Sequence, residues 1–194
     1  MSTDKNKGLQ KYTSDLLALE EHFMNAIRKQ KASDKVRDHR VVELLHELDK
    51  MTSEHVHSLE KQVERLGGEL KSDIKTTIAS FTGSIAGLID SVRNDTVSKM
   101  MRDDYTALSM ITIGYTMLHT YALAAEDTML TELTSEHMTN CTGLITEISK
   151  IVPLIVATEI IDDEDRAESI GQMALENTQA AWKPEAFTTE PEIV

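Results

Sequence analysis

Inward-facing histidines and one glutamate carry the chemistry open to this chain. The tetrapeptide Thr-Ser-Glu-His occurs twice, at 52–55 and at 134–137. At about 100° per residue, a helix turns each copy so that only part of it faces a core. Val41, Leu45, Leu48, Leu59, Val63 and Leu66 define an apolar face that takes in Thr52 and His55. Glu54 and His57 then lie on the solvent side. Leu130, Leu133, Cys141, Leu144, Ile148 and Ile151 do the same for Thr134 and His137, and leave Glu136 outside. A third stripe, Met101, Tyr105, Leu108, Tyr115, Ala122 and Glu126, includes Thr112 and His119. Glu20 sits at the edge of the Leu16, Leu19, Phe23 and Ile27 face. Glu20, His55, His119 and His137 therefore form a donor set for one Fe, Mn or Zn ion, with Thr52, Thr134 and Tyr115 as outer partners. The competing expectation is a metal-free polar layer in which each histidine pairs with a threonine, a tyrosine or a carbonyl.

Other chemistries have less to work with. Cys141 is the one cysteine, which excludes an internal disulfide and any Cys-rich metal site. It falls on a core face beside His137 and reads as a buried, inert thiol. No glycine-rich phosphate loop is present. The run Asp162-Asp163-Glu164-Asp165 lacks the spacing of a calcium loop and reads as a solvated turn. Arg102-Asp103-Asp104-Tyr105 reads as an acidic first turn with a local ion pair. Whether these groups support catalysis stays open at this level.

The elements that must position these residues are long helices. Gly and Pro together number 11 of 194 residues, and aromatics are only 4 %. Few breakers mean long uninterrupted segments, and few aromatics argue against a β-rich core. Apolar spacing predicts helices over about 7–31, from a cap at Ser33, Asp34 or Asp38 to Gly67-Gly68, over about 96–126, and over about 129–151. Pro153 is expected to open a short fifth helix. The apolar stretch from Ile74 to Val92, with Gly83 and Gly87, reads as a short helix or a crossover. One bundle domain over 7–176 and a flexible tail over 177–194 result. Two heights along the bundle axis matter. Glu20 and His55 are level only if the first turn lies near 36–38; with a turn at Ser33 they are about 15 Å apart. His119 and His137 are expected at nearly the same height.

Charge and polarity narrow the partners. The net charge of −13 leaves no basic face for nucleic acid or an anionic membrane. Tyr105 to Ala125 carries no formal charge, but its threonines, tyrosines and His119 make it a poor spanning segment, so no membrane span is expected. The polar start, without an apolar h-region, makes the cytoplasm the expected compartment. A wide apolar surface favours a homodimer.

Two hairpins with matching motifs on their second helices make an up-down bundle with a pseudo-twofold plan, all-α, plus a short C-terminal helix. The hairpin ending in Arg65-Leu66-Gly67-Gly68, and the stretch from Ser98-Lys-Met-Met-Arg-Asp-Asp-Tyr to Tyr115-Thr-Met-Leu-His119, resemble the ferritin-like superfamily. The likeness is to its bacterial, stress-associated branch of uncharacterised domains, over about residues 9–160. It implies a four-helix bundle, often dimeric, with a metal site and a role in binding or stress protection. The usual Glu-x-x-His pairs read here, in the inward register, as Thr-x-x-His. The glutamate of the third helix falls on Ile111. The implied site is therefore reduced, and ferroxidase activity is not implied; a metal-dependent oxidase and a metal-free structural dimer are the alternative readings.

Overall fold

A computed structural model of the chain describes residues 2–68 and 96–182. The crossover expected within 74–92 and the last residues of the expected tail lie outside the described residues. Among the described residues, five α-helices form two up-down hairpins and a short C-terminal helix. They are α1 (Ser2–Lys31), α2 (His39–Arg65), α3 (Val97–Ala125), α4 (Thr128–Ile160) and α5 (Glu164–Ala181). The chain divides into two compact units, residues 1–149 and 150–194.

Local chemistry sets the helix ends in the first unit. Asp38 caps α2: its carboxylate accepts from the Arg40 amide at 2.9 Å and also meets the Arg40 guanidinium. That side-chain bond holds the Asp38 carboxyl below its usual range. Of the two caps the sequence left open, the later one forms, so Glu20 and His55 come level. Gly67 takes φ +81°, which only glycine adopts without cost, and Gly68 donates back to the Val63 carbonyl at 2.9 Å. α3 ends on Glu126 in the left-handed region (φ 59°), after which the Asp127 carboxylate accepts from the Leu130 amide at 3.1 Å and starts α4.

Side-chain pairs fix the direction of each helix. Arg28 and Lys31 both reach Asp49 (2.9 and 2.6 Å), closing the α1–α2 hairpin near its turn. α1 also packs closely on α3, antiparallel: Gln30 meets Asp104 at one end, and Tyr12 packs on Tyr121 at the other, ring centroids 4.7 Å apart. Gly114 lets α3 approach α1 there, since a Cβ at that position would lie 2.7 Å from Leu16 Cδ2. Arg65, at the end of α2, bonds Asp127 at 2.6 Å. α2 and α3 therefore run in the same direction, as a crossover connection requires. The core is Leu16, Leu17, Phe23 and Ile27 of α1 against Leu45, Leu48 and Leu59 of α2 and Met101, Leu108, Ile111 and Leu118 of α3, all buried.

Two expectations need correcting. α4 does not stop near 151: it runs through Pro153 to Ile160. A proline removes one backbone bond, and the helix here keeps its form on both sides of that loss. The fifth helix starts later, at Glu164, where the Asp163 carboxylate accepts from the Arg166 amide at 2.8 Å. Asp103 and Asp104 do not form an acidic first turn. They lie in the second turn of α3, and Asp104 is buried. Arg102 does pair with Asp103, at 2.7 Å.

Within the second unit, α5 meets the end of α4 through small residues. A Cβ on Gly171 would lie 3.1 Å from Leu154 Cα and 3.4 Å from the Ala157 Cβ. Among the described residues, α4 alone is long and apolar enough to cross a membrane, by length and composition. Its first half carries Thr134 and His137, which bond to side chains of α2 and α3.

Candidate metal centre

α1, α2, α3 and α4 each send a polar group into the middle of the first unit. Glu20 comes from α1, His55 from α2, Tyr115 from α3, and His137 and Cys141 from α4. All five are buried. Such groups enter a core only when their hydrogen bonds are met, and most of these are. The His55 Nδ1–H donates to Glu20 Oε1 at 2.8 Å, and the Tyr115 hydroxyl donates to the same oxygen at 2.9 Å. The His137 Nδ1–H in turn donates to the Tyr115 oxygen at 2.9 Å. These bonds assign each ring its tautomer. The His55 and His137 rings stack, with centroids 3.7 Å apart and planes 10° from parallel.

The far nitrogens of the two rings are more weakly held. His137 Nε2 lies 3.1 Å from Ser58 Oγ, and that hydroxyl is also 2.9 Å from the His55 carbonyl. One hydroxyl proton serves one of these two acceptors at a time. His55 Nε2 is 3.4 Å from the Asn140 amide, a long contact.

Burial dominates the electrostatics. It pushes the His137 imidazole down to about 3, with the neighbouring His55 ring as the smaller cause, so His137 is neutral. Burial and the Glu20 carboxylate hold the Tyr115 phenol well above its ordinary range. Cys141 is raised for the same two reasons, only partly offset by a hydrogen bond from Thr112. The thiol is thus protonated unless a positive charge arrives beside it.

The donor atoms of Glu20, His55 and Cys141 lie within 4.8 Å of one another, the one such trio among the described residues. Glu20 Oε2 is buried and has no hydrogen-bond partner. An unpaired carboxylate oxygen in a core is costly. A cation is the partner that would best satisfy it.

The structure sorts the sequence-derived residues. Glu20, His55 and His137 come together around Tyr115. His119 stands apart: its Nδ1–H donates to Thr134 Oγ at 2.8 Å, and Thr134 donates to its own helix at Leu130 (2.7 Å). Register explains this. α3 ends at Ala125 and α4 starts at Thr128, so His119 lies six residues from one end and His137 nine from the other. That difference is about 4.5 Å, almost one turn. Thr52 spends its hydroxyl on its own helix, donating to Leu48 at 2.8 Å. Tyr115 is the hub of the network rather than an outer partner. Cys141 is a buried, protonated thiol, as its core face predicts, and its sulfur also lies within the Glu20–His55 donor trio. Its place on the same helix face as His137, one turn on, was the available signal. Glu54 and His57 are exposed, as their angular positions require.

A cleft of about 360 Å³ opens beside the centre, between α2 and α4. His55 and His137 line it, together with Glu54, Glu132 and Glu136.

Comparison with protein-family models, with curated proteins and with solved structures gives no match. The architecture, two up-down hairpins whose second and third helices run parallel, agrees with a ferritin-like bundle in general and with no specific family.

Proposed function

We propose that this protein is a metal-binding helical bundle with a reduced, single-ion site formed by Glu20, His55 and Cys141. The observation that carries the reading is the buried trio of one carboxylate, one imidazole and one thiol, with Glu20 Oε2 unpartnered. Carboxylate and thiolate together supply two negative charges, which balance a divalent ion in a site that water does not reach. A thiol donor favours Zn or Fe over the harder Mn. Three protein donors leave one position open, which is the pattern of a reactive rather than a sealed metal. When bound, the ion would act there as a Lewis acid or redox centre.

The chain's own residues have defined parts in this reading. Cys141 gives up its proton to bind. His55 turns its Nδ1 lone pair inward, and Asn140, with its amide oxygen presented, can accept the Nε2–H that this requires. Tyr115 keeps its bond to Glu20 Oε1 and orients the carboxylate, while His137 holds Tyr115. A role in metal binding or stress protection fits a site with one ion and too few carboxylates to mineralise iron. An oxidase would use the same open position.

A second reading has its own support. Glu20, Tyr115, His137 and Ser58 form a bonded chain without any ion, which is how a polar layer specifies helix register. Elemental analysis separates the two. Protein purified without a His tag or chelator, then reconstituted with Fe(II), Mn(II) or Zn(II), is expected to retain about one ion per chain, and Cys141→Ser is expected to lose it. No retained metal in the wild-type protein leaves the structural reading. A cytoplasmic homodimer is part of the proposal. The exposed α3 row Met110, Ile113, Met117 and Tyr121 is apolar surface that a second copy would cover, and light scattering gives the mass.

A further inference from the structure

The centre is closed on most sides. Glu20, Tyr115 and Cys141 are 0 % exposed, while His55 and His137 retain 1 % and 5 %. Those two rings are also the residues that the centre shares with the α2–α4 cleft. His55 faces both ways: its Nδ1 bonds Glu20 inside, and its Nε2 meets Asn140, which also lines the cleft. The wall between solvent and the unpartnered Glu20 oxygen is therefore a pair of stacked imidazoles.

The cleft itself is acidic. Glu54, Glu132 and Glu136 line it, all three are exposed, and no Lys or Arg is among its lining residues. Carboxylates of one sign around a concave mouth raise the local concentration of cations and speed their capture. The stacked rings, 3.7 Å apart, leave no gap for an ion between them. One ring has to swing. His55 is pinned to Glu20 and is itself a donor. His137 is held through Tyr115 and through Ser58, whose single proton it shares with the His55 carbonyl.

Resting on the metal-binding reading above, we propose that the α2–α4 cleft is the entry path for a divalent cation, with Glu54, Glu132 and Glu136 as its capture mouth and His137 as the ring that closes it. The substrate of the path is the hydrated ion, which sheds water as it passes from the carboxylates to the imidazole and then to the buried donors. No covalent step is involved. Glu54, Glu132 and Glu136 act on the rate of arrival, whereas the depth of binding belongs to Glu20, His55 and Cys141.

Rapid mixing of the full-length protein with Co(II), read by the absorbance of the cobalt–thiolate bond, tests this. The triple variant Glu54→Gln, Glu132→Gln, Glu136→Gln is expected to bind the same amount of Co(II) about tenfold more slowly at low salt, with the gap closing at high salt. A control, Asp162→Asn, Glu168→Gln, Glu176→Gln, removes the same charge from exposed positions of the second unit and is expected to keep the wild-type rate. His137→Ala is expected to raise both the uptake and the release rate, which a purely structural loss would not do. An unchanged rate in the cleft triple, or an equal slowing in the control, overturns the entry path and leaves the site standing. No cobalt–thiolate absorbance in the wild-type protein overturns the site, and the path with it.

Discussion

Among the described residues of the first unit two carboxylates, Glu20 and Asp104, are buried, and the helices treat them in opposite ways. Glu20 is met by two donors, the His55 Nδ1–H and the Tyr115 hydroxyl, both on Oε1. Asp104 is met by one, the Gln30 amide, at 2.8 Å. Each keeps one oxygen without a partner, Glu20 Oε2 and Asp104 Oδ2. The environments then diverge. Glu20 has a thiol and two imidazoles nearby, so its spare oxygen faces a donor set. Asp104 has the Gln30 Oε1 acceptor, also unpartnered, and the charge of Asp103 nearby. Burial, opposed only by the Gln30 bond, pushes Asp104 up to about 7. A protonated Asp104 can donate from Oδ2 to Gln30 Oε1, closing a cyclic acid–amide pair that leaves no atom orphaned. One buried carboxylate is thus satisfied by a proton below about pH 7, and the other is the one that the proposed function gives to a cation.

Glu20→Leu breaks the first arrangement outright. It strands the Tyr115 hydroxyl and the His55 Nδ1–H in the core, and a loss of about 3–5 kcal/mol in urea unfolding is expected. A loss under 1 kcal/mol would mean that the network contributes little.

Asp104 sharpens the comparison through pH. In the folded protein Asp104 keeps its proton up to about pH 7, whereas its ordinary value is 3.8. Between those values the folded state binds more protons than the unfolded, so stability falls as pH rises across that window and levels off above it. The size is on the order of a few kcal/mol. Asp104→Asn supplies the donor without the charge. It is expected to remove this slope and to raise the denaturation midpoint at pH 8. A variant no more stable than wild type at pH 8 would contradict the acid–amide pair.

His119→Ala is the smallest of these changes. Its bond to Thr134 is local and half-buried, so about 1 kcal/mol is expected, with metal content unchanged. Loss of metal in this variant would return His119 to the site.

The comparison also marks what the sequence could show. Angular position alone turned Thr52, His55, Thr134 and His137 inward and Glu54 and His57 outward, and all of them lie so. The places of the described helices and the glycine stop at 67 follow from apolar spacing and breakers. Heights along the axis did not follow, because they depend on turn length to within a residue or two. Asp38 rather than Ser33 brought Glu20 level with His55, and a short α3–α4 turn moved His119 almost a turn away from His137. Asp104 and Cys141 were missed for a related reason. Residue type and spacing made one a first-turn charge and the other a buried thiol, and only packing against Gln30 and Glu20 gives either its further character. Pro153 was weighted as a stop, though a helix can lose one bond and continue.

The most direct test of the metal centre is a Co(II) titration of wild-type protein beside Cys141→Ser, read by absorbance. Wild type should saturate at about one equivalent, with a thiolate-to-cobalt charge-transfer band that is absent from the variant. A wild-type spectrum without that band, or a band that survives Cys141→Ser, would contradict a centre built from Glu20, His55 and Cys141.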